Sequence, residues 1–180
     1  MASPKAPGRL APAPPRARRL RLRAVMLGVA AIVLAADQVS KALAVNALPG
    51  HPPVRLLGGL ITLRLTFNAG AAFSFGTSYT AVIALVAIGT VFFIARTARR
   101  LRSAGWAVTL GLLLGGTLGN LSDRLFRAPG PMRGRVVDWI NLPHFPWTFN
   151  IADSAITCAA VLIAVLALLN VRIDGTAARR

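Results

Sequence analysis

The chain has 180 residues, a formal net charge of +16 and only five acidic residues, all of them aspartate. Hydrophobic residues make up 55% of it, and the mean hydropathy of +0.61 is too high for an ordinary soluble domain. One cysteine and two histidines exclude an internal disulfide, a cysteine-based metal cluster and, without any glutamate, a His-Glu-x-x-His metalloprotease site. We therefore expect an integral membrane protein that uses neither a metal nor another cofactor.

The first segment, residues 1–23, is rich in proline, alanine and arginine and has no apolar period. This composition predicts a disordered basic tail. The apolar run that follows, with its arginine-rich flank, is similar to a cleavable signal peptide. However, the run resumes as KALAVNAL after Ser40, so we predict a first membrane span that is retained.

Four apolar stretches follow one another along the chain, at residues 24–45, 79–95, 105–122 and 150–170. At about 1.5 Å per helical residue, each crosses or nearly crosses a hydrocarbon core of roughly 30 Å. We predict an all-α membrane protein whose four transmembrane helices lie within residues 24–170. The third stretch also has glycines at four-residue spacing, which predicts close approach of another helix: Gly111, Gly115 and Gly119.

Lysine and arginine residues flank these stretches on alternate sides. The two tails and the loop 96–102 hold 14 of the 21. By the positive-inside rule, both termini, including residues 171–180, are cytoplasmic, and the segments 46–78 and 123–149 are outside. Because membrane topology accounts for the placement of these basic residues, we do not expect the protein to bind nucleic acid.

The two outer segments differ in pattern. In segment 46–78, bulky residues alternate with polar or small ones from Ile61 to Phe67. This alternation predicts a short strand, and we expect a small β-sheet on the outer membrane face. The second segment contains four prolines, so we predict that it is irregular.

Four of the five aspartates fall at the predicted outer ends of the spans. They are Asp37, Asp123, Asp138 and Asp153. Ionisable residues at membrane depth are candidates for function. The four aspartates are predicted to share one layer, which argues against an accidental placement.

Two of the aspartates also have a structural interpretation. Asp37 and Lys41 are spaced i and i+4, so they can pair on one helix face. Asn150 and Asp153 have the spacing of a helix N-cap and an acid in the first turn.

The other two are harder to explain by structure alone. Asp123 ends a helix, where its charge opposes the dipole, so it needs a partner, and Arg124 or Arg127 can supply one in a polar cluster with Asn120. Asp138 lies among apolar residues in VVDWI and caps nothing.

Two neighbouring residues have simpler interpretations. We expect Asn68 to form a turn or to donate a hydrogen bond to this layer of aspartates. Cys158 is interpreted as a small buried apolar residue.

Carboxyl groups are the chemistry that this sequence supplies best. Two aspartates close together cannot both ionise cheaply, so they share one proton, and one acts as a general base while the other donates a proton. Asp138 and Asp153 are sufficient for such aspartic-protease chemistry. A dyad of Ser74 and Lys41 is a weaker candidate.

The motifs at the ends of the spans resemble those of lipoprotein signal peptidase (signal peptidase II), over about residues 30–170. In chain order they are DQVSK (37–41), NAGAAFS (68–74), GGTLGNLSDR (115–124), VVDWI (136–140) and FNIAD (149–153). Any one motif is weak, but five in this order, each at the expected end of a span, are specific to that family.

The resemblance implies a four-span aspartyl peptidase of the bacterial cytoplasmic membrane, with its active site at the outer face. Such an enzyme cuts the signal peptide from prolipoproteins just before the diacylglyceryl-modified cysteine, at the lipid boundary, and is the target of the cyclic peptide globomycin. Asp138 and Asp153 match the family's catalytic pair. The residues that match its other motif positions, and would orient the pair or hold substrate, are Asp37, Lys41, Asn68, Gly70, Asn120, Asp123, Arg124, Asn150 and Ala152.

Two functions from other classes stay open at this point. A proton- or ion-coupled transporter would use the same aspartates as a relay, although the spans lack polar groups that reach the inner face, and no inverted repeat is visible. A membrane adaptor without catalysis is the other alternative.

Overall fold

The computed structural model describes residues 16–70 and 79–175. Ser74 and the predicted tail residues 1–15 and 176–180 lie outside this part of the chain. Within it, all the long helices are apolar enough to cross a membrane, which confirms the predicted four-span architecture: α1 (Arg16–Ala47), α2 (Thr80–Thr97), α3 (Ala104–Phe126) and α4 (Ile151–Leu168).

Helix α1 begins eight residues before the predicted span. The prediction that residues 16–23 belong to a disordered tail is therefore wrong. This stretch consists of arginine, leucine and alanine, which favour helix, and tertiary contacts hold it in place. Leu22 is buried, and Arg23 donates from Nε to the carbonyl oxygen of Ala98, just after α2, at 3.3 Å.

Helix α3 packs against the other three helices, and its glycines make this possible. A Cβ atom on Gly111 or Gly115 would lie 2.7 Å from a backbone carbonyl oxygen of α1, and one on Gly116 would lie 2.5 Å from that of Ala152 in α4. Any larger residue would push these helices apart. The predicted close approach at the glycine stripe is confirmed.

Four short strands form an antiparallel sheet in chain order: β1 (Val54–Leu56), β2 (Ile61–Asn68), β3 (Val136–Asn141) and β4 (Thr148–Phe149). The predicted strand is confirmed as β2. The prediction that residues 123–149 are irregular is wrong for β3 and β4, because the four prolines lie outside both strands and VVDWIN is rich in β-formers.

The sheet lies beside the ends of the helices. Thr66 of β2 pairs with Asp138 of β3, and Asn68 pairs with Val136. The C-terminal ends of α1 and α3 and the first turn of α4 meet at the same end of the molecule as the sheet. An apolar cluster fills the other half of the bundle, formed by Leu22, Met26, Ala30, Ile94, Ala98, Leu101, Ala107, Leu110 and Leu114.

Candidate active site

A buried lysine lies at the centre of the polar layer. Lys41 Nζ lies 2.8 Å from an oxygen of Asp37 and 2.8 Å from an oxygen of Asp123. It also donates to the side-chain oxygen of Asn120 at 3.0 Å. Lys41 and Asp37 are 0% exposed and Asp123 is 1% exposed. The predicted pair of Asp37 and Lys41 is confirmed, and the structure extends it to α3.

Asp37 also joins α1 to α4. Its Oδ1 accepts the backbone N–H of Ala152 at 2.9 Å, and its Oδ2 accepts from the side chain of Gln38 as well as from Lys41. A Cβ atom on Gly119 would lie 2.6 Å from this carboxyl group, so only glycine fits there. The carboxylate is therefore fully enclosed and fully partnered.

Asp123 has a second cation besides Lys41. Arg127 Nε lies 2.6 Å from Asp123 Oδ1. Asp123 Oδ2 accepts the backbone N–H of Val137 at 3.1 Å, which fixes the start of β3. Of the two predicted partners, Arg127 is confirmed and Arg124 is not. Arg124 is buried, and its Nη1 has no hydrogen-bond partner among the residues that the structure describes.

Asp138 is held by side-chain amides. It is 1% exposed, and its two oxygens accept from Asn68 Nδ2 at 2.9 Å and from Asn150 Nδ2 at 2.7 Å. The pairing of β2 with β3 places Asn68 beside it. The side-chain oxygen of Asn68 accepts the backbone N–H of Gly70 at 2.8 Å, and the φ of 110° at Gly70 requires glycine in this turn. The predicted hydrogen bond from Asn68 is confirmed.

Asp153 lies in the first turn of α4. Asn150 is the N-cap: its side chain accepts the N–H of Asp153 at 2.9 Å, while Asp153 Oδ2 accepts the N–H of Asn150 at 3.2 Å. The other oxygen of Asp153 accepts from Asn120 Nδ2 at 2.7 Å. The predicted capping interaction is confirmed.

Asn150 connects the two carboxyl groups, because its side chain donates to Asp138 and its backbone N–H donates to Asp153. It is 0% exposed. Asn120 extends this link to the buried lysine, since it accepts from Lys41 and donates to Asp153. Within the described part of the chain, neither Asp138 nor Asp153 forms an ion pair with a lysine or arginine.

The electrostatics of Asp138 follow from this environment. Burial raises its pKa from 3.8 to about 6, the hydrogen bond from Asn68 opposes the rise, and repulsion from Asp153 adds to it. A carboxyl group that titrates near neutral pH can accept and donate a proton in the same cycle. The described residues include no group of His, Cys, Asp or Glu side chains placed to hold a metal ion.

A cavity of about 390 Å³ adjoins Asp153. Cys158 is one of its lining residues and is exposed, so the prediction of a buried Cys158 is wrong. Phe145 and Phe149 form an aromatic wall of this cavity, which was not predicted although their spacing in FPWTF was a signal. The other lining residues are Leu142, Phe145, Phe149, Ser154 and Thr157.

Comparison with known proteins identifies one family model and several relatives that share one name. A family model described as signal peptidase (SPase) II matches residues 29–169. A protein named lipoprotein signal peptidase from Rhodococcus jostii is 49% identical over 91% of this chain and 82% of its own length. One of the same name from Streptomyces coelicolor is 46% identical over 91% of this chain and 80% of its own.

Solved structures with the same fold are bacterial membrane enzymes determined by the in meso method. One, at 2.3 Å resolution, superposes with a TM-score of 0.72 at 24% identity, covering 82% of this chain and 89% of that one. A second, at 1.9 Å, gives a TM-score of 0.71 at 24% identity over 81% and 93%. At this identity, the likeness concerns the fold.

Proposed function

Since the chain belongs to the signal peptidase II family, we propose that it is an aspartic endopeptidase acting on prolipoproteins, and that it cleaves just before the diacylglyceryl-modified cysteine. The observation that carries this proposal is the pair of carboxyl groups joined by Asn150. Asp138 and Asp153 both contact Asn150 and are held by neutral amide donors, and Asp153 lines an apolar cavity.

In the proposed reaction, the two aspartates share one proton and bind a water molecule. The ionised carboxylate takes a proton from this water, and the resulting hydroxide forms a bond to the scissile carbonyl carbon. The protonated partner gives its proton to the carbonyl oxygen. When the tetrahedral intermediate collapses, the C–N bond breaks, and the nitrogen of the cysteine leaves with a proton from the carboxyl that first acted as base. The other carboxylate takes a proton from one hydroxyl group of the intermediate, which forms the new carboxyl product and restores the shared proton of the pair.

The other motif residues orient this pair in the proposal. Side-chain amides fix both carboxyl groups without neutralising them, and the lysine-centred cluster fixes the elements that carry them. The buried Nη1 of Arg124 has no hydrogen-bond partner within residues 16–70 and 79–175, and we assign it to hold a carbonyl group of the substrate. The orienting residues are Asp37, Lys41, Asn68, Gly70, Asn120, Asp123, Asn150 and Ala152.

The proposed location is the bacterial cytoplasmic membrane, with both termini in the cytoplasm and the site at the outer face. The distribution of lysine and arginine supports this orientation. At that depth, the acyl chains of the substrate and of membrane lipid meet the apolar walls of the site, and a globomycin-type inhibitor would occupy the same place. The names of the relatives give the transporter alternative no support.

A matched pair of precursor peptides tests the proposal. Purified full-length protein in detergent receives one peptide with a diacylglyceryl-cysteine and one with the same sequence and no lipid, and mass spectrometry locates the cut. We expect cleavage before the lipidated cysteine and far slower cleavage of the other peptide, because burial contributes about 0.8 kcal/mol per CH₂. Equal rates on both, or activity lost to a chelator and restored by zinc, would contradict the proposal.

A further inference from the structure

Arginine covers the end of the bundle that lies opposite the candidate site. Three chain segments contribute: the first turns of α1, the connection from α2 to α3, and the residues after α4. We call this group the arginine collar. Its ten members are Arg16, Arg18, Arg19, Arg21, Arg23, Arg96, Arg99, Arg100, Arg102 and Arg172.

Tertiary contacts hold these segments together. Arg23 donates to carbonyl oxygens of the 3₁₀ turn Ala98–Arg100 that follows α2. The backbone N–H of Arg102 donates to the carbonyl oxygen of Ile173 at 2.9 Å, so the segment after α4 joins the same surface. The collar is therefore one continuous feature of the fold.

The collar has almost no negative charge within the described part of the chain. Asp174 is its only acidic side chain, 3.7 Å from Arg172 Nε, and both partners are exposed to solvent. The other four aspartates of the sequence belong to the candidate site. Like charges at this density repel one another and disfavour the compact state. Anions from outside the chain would remove this cost.

The length of α1 would bring the collar to the depth of lipid headgroups. Helix α1 has 32 residues and is about 48 Å long, against a hydrocarbon core of roughly 30 Å. Its arginines all fall within the first eight residues, before the apolar stretch. Trp106, a residue type enriched at membrane interfaces, donates to the carbonyl oxygen of Val171 at this end of the bundle.

Within the described residues, the Arg19 side chain of the collar has a hydrogen-bond donor that no other group accepts. Arg16, Arg19 and Arg23 follow the spacing i, i+3, i+7 and share the helix face on which Arg23 contacts the 3₁₀ turn. Arg19 Nε is buried and has no hydrogen-bond partner among the residues that the structure describes. A phosphate oxygen is a strong acceptor for a guanidinium group.

We propose that the arginine collar binds the headgroups of anionic phospholipids, with phosphate oxygens accepting hydrogen bonds from Arg19, Arg99 and Arg100. This second lipid contact is separate from the site that acts on the substrate, and it does not depend on the proposed peptidase reaction. Basic clusters next to a membrane span have this effect in general, at about 1 kcal/mol for each cation near the surface.

Lipid selectivity of the full-length protein tests the proposal. The protein is reconstituted in vesicles of phosphatidylcholine with a trace of spin-labelled phosphatidylglycerol or phosphatidylcholine, and the fraction of immobilised label gives the relative affinity. We expect the wild type to prefer phosphatidylglycerol. The variant Arg19→Gln/Arg99→Gln/Arg100→Gln should lose at least about fivefold of this preference, and the preference should weaken as salt rises.

Two matched variants serve as controls for position and for charge. Arg55→Gln/Arg64→Gln/Arg133→Gln removes the same charge at the opposite end and should keep the preference. Arg19→Lys/Arg99→Lys/Arg100→Lys keeps the charge and should retain most of the preference. The proposal is overturned by a wild type without preference, by an equal loss in the opposite-end variant, or by an equal loss in the lysine variant. It is also overturned if inorganic phosphate abolishes the preference and chloride of equal ionic strength does not, because the collar would then take free phosphate.

Discussion

Two pairs of aspartates lie in the same layer of this protein, and they are held in opposite ways. Asp37 and Asp123 share the ammonium group of Lys41, and Asp123 also pairs with Arg127. Among the described residues, the hydrogen-bond donors to Asp138 and Asp153 are neutral: side-chain amides and one backbone N–H.

This difference assigns the pairs to different tasks. A carboxylate that is paired with a buried cation is fixed in position, and it holds the chain in place. A carboxylate held by neutral amides is oriented, yet its charge is not cancelled, so a proton can move on and off it. We therefore propose that the first pair builds the site and that the second pair carries out the chemistry.

The largest expected effect comes from removing the protonatable group of the second pair. Asp138→Asn or Asp153→Asn keeps the shape of the side chain but cannot accept the proton from water, so we expect cleavage to fall by at least about 10⁴-fold. The double variant should be no slower than either single one, since residues that act as a unit are not additive. The measurement is the rate of cleavage of a lipidated precursor.

Asp37→Asn is the matched control from the first pair. It is the same chemical change in the same layer, and it leaves Asp138 and Asp153 in place, so we expect reduced but measurable turnover. Substantial turnover by Asp138→Asn or Asp153→Asn would contradict the assignment of different roles to the two pairs. Attention would then move to Lys41 and Ser74.

The second prediction concerns stability. Lys41→Met leaves Asp37 without its cation and Asp123 with one cation fewer, in a place where neither is exposed. Losing one partner of a buried ion pair costs about 3 to 5 kcal/mol of unfolding free energy. Titration of the purified protein with a denaturing detergent, followed by circular dichroism, measures the difference.

Arg127→Gln is the control for that measurement, because it removes the more exposed of the two cations that pair with Asp123. The side chain of Arg127 is 30% exposed, and solvent screens its pairing with Asp123, so its loss should cost much less. A Lys41→Met protein as stable as the Arg127→Gln protein would show that the buried cluster does not hold the site together.

Much of this arrangement could be predicted from the sequence, because local spacing encodes it. The apolar stretches gave the helices, the i, i+4 spacing gave the pair of Asp37 and Lys41, and the N-cap spacing gave Asn150 and Asp153. The alternation around Ile61 gave β2.

What the sequence concealed depends on long-range contacts. The contact of Lys41 with Asp123 joins residues far apart in the chain, and no local pattern chooses between Arg124 and Arg127. Strand β3 forms because it pairs with β2. The first turns of α1 are fixed by the hydrogen bond from Arg23 to Ala98, just after α2. The exposure of Cys158 depends on how α4 packs against α3.

The last prediction concerns one hydrogen bond, from Asn68 to Asp138, and its effect on the pKa of Asp138. Burial raises the pKa of Asp138 to about 6, and the hydrogen bond from Asn68 opposes the rise because it favours the ionised form. Asn68→Ala removes this donor, so the pKa should rise further. A hydrogen bond to a charged group contributes about 1.5 kcal/mol or more, so the acidic limb of kcat/KM should move to higher pH by about one unit.

The sign of the effect on stability is also fixed by this pKa. A carboxyl group whose pKa is raised by folding stabilises the fold fully below its unfolded value of 3.8, and this contribution is lost as pH rises through about 6. In Asn68→Ala the loss should begin at the same pH and extend to higher pH. Asn141→Ala is the control, because this amide donates to backbone carbonyls of the β3–β4 loop rather than to Asp138. A merely structural role for Asn68 would lower kcat and leave the midpoint of the pH profile in place, so an unchanged midpoint would show that Asn68 does not tune Asp138.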